Sequence, residues 1–151
     1  MPELTTLKLI ERISTLLRAE QRKKYSSLGL QPVHVQTLDY LANCNRFSDT
    51  PAAVTDYLGL TKGTVSQTLQ VLERKGYLEK IQDLVDKRIV HLKILPLGQQ
   101  LLKSITPFDV FTKAEQAIAN KQFDSISAAL YEALVAFKTL RLIVFGHCKS
   151  C

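Results

Sequence analysis

The chain has 151 residues, 46% of them hydrophobic and 23% charged, which suits one folded domain and argues against a disordered chain. Lys and Arg number 20 against 14 Asp and Glu, and the formal charge of +6 favours a polyanionic partner over a basic ligand. The start, Met1-Pro2-Glu3-Leu4, lacks a secretory pattern, no apolar run reaches the roughly 18–20 residues that span a bilayer, and three cysteines suit no disulfide framework. The expectation is a cytoplasmic protein without membrane contact.

Residues 4–27 read as a long helix. Leu7, Ile10, Ile13 and Leu17 keep helical spacing, and Leu9 and Leu16 add a second apolar stripe, so this helix needs more than one partner. Gly29 ends it. A second helix follows over residues 32–45, with Val33, Val35, Leu38 and Leu41 as its apolar side. Thr50-Pro51 pairs a good N-cap with a residue suited to the first helical position, predicting a short helix from Pro51 to Leu58 that stops at Gly59. Thr61 can cap the next helix, which runs to about Lys75 before Gly76. The period then changes. Residues 77–81 and 89–94 alternate in and out like strands, and the polar turn between them makes a β-ribbon. Pro96 opens another helix with Leu97, Leu101, Leu102 and Ile105, and Pro107 should kink or restart it. A last long helix over about 123–145 places Phe123, Ile126, Leu130, Leu134, Phe137 and Val144 near a heptad seam. The outer helices are apolar beyond what one chain can cover, which predicts a homodimer.

The stretch from Pro51 to Gly76 is two short helices around a tight turn. Val54, Leu58, Leu60, Val65 and Leu69 can lock them together. The opposite edge of the second helix carries Lys62, Thr64, Ser66, Gln67, Gln70 and Arg74 and almost no acid. Gln, Ser and Arg read base edges in a major groove, Lys62 suits a phosphate, and the amides at Lys62-Gly63 favour an anion. A solvated helix face has the same composition, so the segment alone leaves both readings open. The ribbon adds weight to the reading as a double-stranded DNA binder, although its tip taken alone reads more readily as a plain charged hairpin end. Its end, Asp83 to Arg88, offers Lys87 or Arg88 to a narrow, electronegative minor groove, and Asp86 is spaced to cap the turn and hold the Arg88 guanidinium.

Taken together, Thr61-Lys62-Gly63-Thr64-Val65-Ser66, Leu72-Glu73-Arg74-Lys75-Gly76-Tyr77-Leu78 and Asp83-x-x-Asp86-x-Arg88 followed by Leu92-x-Ile94 and Gly98 resemble the MarR (multiple antibiotic resistance regulator) family. The resemblance implies a mainly α fold with a small β-ribbon, a winged helix-turn-helix with N- and C-terminal dimerisation helices. It divides the chain into dimerisation helices at 1–30 and 107–151 and a DNA-binding lobe at 31–106. It implies a homodimer that represses near-palindromic operators and is relieved by a small molecule, an oxidant or a metal. It places Ser66, Gln67 and the helix start in the major groove and Arg88 in the minor groove. An effector pocket between the dimer helices and the lobe would involve Tyr25, His34 and Leu38. One departure is Leu95, where the family usually has Thr; this removes an N-cap before Pro96 worth about 1 kcal/mol.

Other classes find less support. No hydrolase triad, glycine-rich phosphate loop or His-Glu-x-x-His is present, so an enzyme is not expected. A helical interaction module has no need of an Arg-tipped ribbon. The C-terminal His147-Cys148-Lys149-Ser150-Cys151 leaves three roles open. Cys148 and Cys151 form a redox dithiol, or join His147 and Cys44 or a partner residue at zinc, or stand by without a role.

Overall fold

A computed structural model describes residues 5–105 and 109–141. They form α1 (Thr6–Ser26), α2 (Pro32–Asn43), α3 (Pro51–Leu58), α4 (Lys62–Arg74), β1 (Leu78–Gln82), β2 (Val90–Ile94), α5 (Pro96–Ile105), α6 (Asp109–Ala117) and α7 (Asn120–Arg141). Local chemistry sets the boundaries. Thr50 is extended, its hydroxyl accepts the Ala53 N–H at 3.3 Å, and Pro51 takes a helical position that needs no donor. Gly59 ends α3 at φ 64°, a left-handed turn that a side chain would make costly. Thr61 then caps α4 by accepting the Thr64 N–H at 3.2 Å.

Across this turn Val54, Val65 and Leu69 close together in full burial, with Leu58 and Leu60 packed at the margin. The same core takes in Leu38 and Leu41 from α2, Leu72 from α4, Leu78 and Leu92 from the ribbon and Leu101 from α5. Each such leucine contributes about 1.5–3 kcal/mol on burial, so the helix-turn-helix and the ribbon are held as one body.

The ribbon is antiparallel, in register from Leu78 opposite Ile94 to Gln82 opposite Val90. Both strands start one position later than the alternation suggests. Tyr77 N–H still closes α4 on the Leu72 carbonyl at 3.0 Å, and Ile89 N–H belongs to the tip, bonded to the Asp86 carbonyl at 2.9 Å. Helix α5 forms despite the missing Thr cap: Gln99 N–H reaches the Leu95 carbonyl at 3.1 Å, and Leu95 N–H is satisfied by the Tyr77 carbonyl at 2.9 Å. Gly98 makes this junction possible, because a Cβ there would run into the Tyr77 carbonyl oxygen.

The C-terminal part differs from a single helix starting near Phe123. Helix α7 begins already at Asn120, a separate α6 precedes it, and Phe111 of α6 meets Phe123 edge to face at 5.5 Å. Ala119 sets the start, its carbonyl accepting from both Gln122 and Phe123. Pro107 and the stretch containing Val144 lie outside the described residues. Leu7, Ile13 and Leu16 on α1 and Ile126, Leu130, Leu134, Phe137 and Leu140 on α7 are exposed. Among the described residues, no helix is long and apolar enough to cross a membrane.

Candidate nucleic-acid interface

Helix α4 buries one side and presents the other. At 100° per residue, Gly63, Gln67, Gln70 and Arg74 fall in one stripe opposite Val65, Leu69 and Leu72, with Ser66 beside it. Lys62, Ser66, Gln67, Gln70 and Arg74 are all exposed. Thr64 is exposed too, but its hydroxyl lies 2.9 Å from that of Thr61 and belongs to the cap. The first turn of α4 holds no acid, so its amide dipoles meet no competing negative charge. Glu73, the acid on this helix, pairs with Lys80 of β1 at 3.2 Å.

The ribbon tip is a set of carboxylate-capped turns. Asp83 Oδ1 accepts the N–H groups of Val85 and Asp86, both at 2.8 Å, and Gln82 Nε2 donates to the Lys87 carbonyl at 2.8 Å. Asp86 accepts the Arg88 N–H at 3.0 Å and also takes its guanidinium, from Nε and Nη2, each at 3.0 Å. The Arg88 side chain stays 90% exposed. The hydrogen bonds from Arg88 hold the Asp86 carboxyl below its ordinary range and push the guanidinium up. Asp86 thus caps the turn and pairs with the guanidinium, and Asp83 is a second capping acid at the tip. Leu84 and Val85 project from the same tip, almost fully exposed.

His91 is the residue that sequence reasoning missed. Its Nδ1 lies 2.6 Å from Asp49 Oδ1 in the loop between α2 and α3, and its Nε2 lies 3.0 Å from Asp83 Oδ2 at the ribbon tip. The hydrogen bonds to Asp49 and then Asp83 raise its pKa above 6.5, the ordinary value. Asp83 is held down to about 2 by the Asp86 N–H, His91 and the Val85 N–H in that order. Asp49 also ties the loop to β2 through its carbonyl, which accepts the Leu92 N–H at 2.7 Å. Asp49 and His91 are far apart in the chain, and no local spacing relates them. The available signal was a polar residue at a half-buried strand position.

A cleft of about 400 Å³ separates α3, α4 and the ribbon, lined by Pro51, Thr55, Lys62, Ser66, Lys80 and Val90. Tyr25, His34 and Leu38 sit instead in the core. His34 serves α2: its Nδ1 accepts the Gln31 N–H at 2.9 Å, and burial followed by the charge of Lys75 lowers its pKa. Cys44 is half-buried, with its thiol against the Leu41 carbonyl at 3.5 Å. His147, Cys148 and Cys151 lie outside the described residues. Among the described residues, no group of His, Cys, Asp and Glu is placed to hold a metal ion.

Residues 28–89 match the sequence model of the MarR family. The chain resembles the S. aureus MepR–DNA complex at a TM-score of 0.71 and 24% identity, covering 89% of this chain and 99% of that one. It resembles the reduced form of E. coli MarR at 0.74 and 17%, with 89% and 99% coverage. Streptococcus pneumoniae FabT in complex with DNA matches at 0.68 and 24%, covering 87% and 94%. No curated protein matches by sequence.

Proposed function

We propose that the chain, whose residues 28–89 match the MarR family model, is a MarR-family regulator of transcription that binds double-stranded DNA sequence-specifically as a homodimer. One observation carries the reading. Ser66, at the edge of the exposed stripe of Gln67, Gln70 and Arg74, lines a cleft with Lys62 of α4 and with Lys80 and Val90 of the ribbon, so the helix face adjoins the ribbon along one side. In this reading α4 enters the major groove, Lys62 and the helix N-terminus meet phosphate, and Lys87 and Arg88 reach the minor groove. MepR and FabT have been captured on DNA, which supports it.

The dimer is built by the exposed apolar faces of α1 and α7, with residues 1–30 and 107–151 as dimerisation segments and 31–106 as the DNA-binding lobe. Two copies of α4 then read half-sites about one helical turn apart, roughly 10 base pairs. The protein represses and is released by a small-molecule effector. It has no enzymatic role and works in the cytoplasm. A ligand in the cleft beside Lys62 and Ser66 would obstruct the face that meets DNA. Selection of bound fragments from random duplexes, followed by titration of the selected site with Gln67→Ala, tests this. Gln67→Ala costs about 1–3 kcal/mol and relaxes preference at one position per half-site. No enrichment over random sequence at low salt would overturn it. Peroxide and chelator treatment of a Cys148→Ser, Cys151→Ser double variant beside the parent separates a dithiol switch, zinc and a passive tail.

A further inference from the structure

Both ring nitrogens of His91 face a carboxylate oxygen, Nδ1 towards Asp49 and Nε2 towards Asp83. Only the imidazolium has two N–H donors; a neutral ring would turn a lone pair on one acid. The two acids belong to different parts of the lobe. Asp49 lies in the α2–α3 loop, which Tyr40 anchors through its hydroxyl to the Ser48 carbonyl at 2.8 Å. Asp83 heads the turn of the ribbon tip, two of whose amides it holds. His91 thus joins a fixed loop to the end of a two-stranded projection.

We propose that protonated His91 is the positioning residue of the wing, and that its proton sets how firmly the tip carrying Arg88 is held against the lobe. Asp49 and Asp83 are the charged groups that act on the ring. The helices that also pack on β2, α2 and α3, bring no further charge to it among the described residues. Across the ribbon its neighbour is Ile81, and the nearby pair Lys93–Glu79, 3.3 Å apart, is internally neutralised. The charge of Asp83 acts in turn on Asp86, where the hydrogen bonds from Arg88 outweigh it. Below the raised pKa both bonds are made. As pH rises through it the proton leaves, one acid faces a lone pair, and the tip is released. The consequence for DNA rests on the proposed function above: affinity falls with rising pH because Arg88 is no longer held in one place.

The test has two arms on the full chain. Without DNA, the ring of His91 is followed by nitrogen NMR across pH, together with amide exchange at Val85, Asp86 and Leu92, corrected for intrinsic rate. The ring should titrate above 6.5, and protection of those amides should fall with it by up to about tenfold per pH unit. In His91→Gln the protection should be low throughout and independent of pH, and Asp49→Asn should bring the ring titration down. A ring that titrates at or below 6.5, or tip amides indifferent to pH in the parent, overturns the proposal. With a random-sequence duplex at low salt, the parent should lose affinity over the same interval and His91→Gln should not. If the parent binds no duplex at any pH, the DNA reading fails while the first arm still decides the clamp. If it binds with a pH profile that His91→Gln leaves unchanged, the clamp does not act on DNA and the proposal is overturned.

Discussion

The guanidinium of Arg88 grips the Asp86 carboxylate through two hydrogen bonds, Nε to Oδ1 and Nη2 to Oδ2, each 3.0 Å, while the side chain remains 90% exposed. An ion pair this exposed contributes little to stability. Its effect is to hold a long cation in one direction, which under the proposed function would lower the ordering cost of binding DNA. Arg88→Ala should weaken binding evenly across sequences and reduce the salt slope by about one. Asp86→Ala should leave the salt slope near the parent's and still lose affinity, less than Arg88→Ala does. Fluorescence anisotropy at several salt concentrations measures both. Equal losses of slope in the two variants would contradict this division of labour.

Gly98 offers a test of the junction between wing and helix. A methyl group there meets the Tyr77 carbonyl, which is backbone and already accepts the Leu95 N–H. Gly98→Ala should destabilise the lobe by about 1–3 kcal/mol, despite Ala's better helix propensity. Urea unfolding with an unchanged slope would show it. A stabilised variant would mean that α5 shifts freely.

Leu130 and Leu134 lie on the exposed apolar face of α7, each about half exposed. Leu130→Asp or Leu134→Asp should give monomers or aggregates and abolish operator binding, while the ribbon and α4 keep their core. Sedimentation velocity at micromolar concentration separates the species. A well-folded parent monomer under those conditions would remove the basis for the dimer.

His34 and His91 should pull stability in opposite directions with pH. His34 is neutral in the fold, its pKa lowered by burial and by Lys75, and its Nδ1 accepts from Gln31. Its contribution is present above 6.5 and is lost as pH falls from there towards the lower folded value. His91 has the opposite sign: its contribution is complete below 6.5 and is lost as pH rises through the raised value. Thermal melts between roughly pH 5 and pH 8 should therefore fall more steeply on acidification in His91→Gln than in the parent. His34→Gln should flatten the acid side. The reverse assignment would mean that the two rings are protonated otherwise than their partners require.

Much of this was legible in the chain because it is local. Thr50-Pro51, Gly59 and Thr61 determine the helix-turn-helix by capping and φ alone, and the exposed face of α4 follows from its period. The wing acid Asp86 was legible for the same reason, two residues from the arginine it holds. His91 was not, because Asp49 reaches it only after the core has folded and brought the α2–α3 loop to the ribbon. The split between α6 and α7 was hidden too, since Ala-rich and apolar residues continue through it and no glycine or proline marks Ala119. Tyr25, His34 and Leu38 were suggested for a pocket by the family resemblance alone, and all three are buried in this lobe.

The bond from Leu92 N–H to the Asp49 carbonyl has a meaning beyond the wing's position. Leu92 is the middle residue of β2, and its N–H points away from β1. A two-stranded ribbon carries two open edges, each able to recruit a strand from another molecule. Here the central donor of one edge is already taken by the protein's own loop, and Pro51, two residues past Asp49, has no N–H with which to lengthen that pairing. The contact ends after one rung. Asp49 thus acts as a stopper on that edge: it occupies the site where strand addition between copies would start and offers no continuous strand in its place.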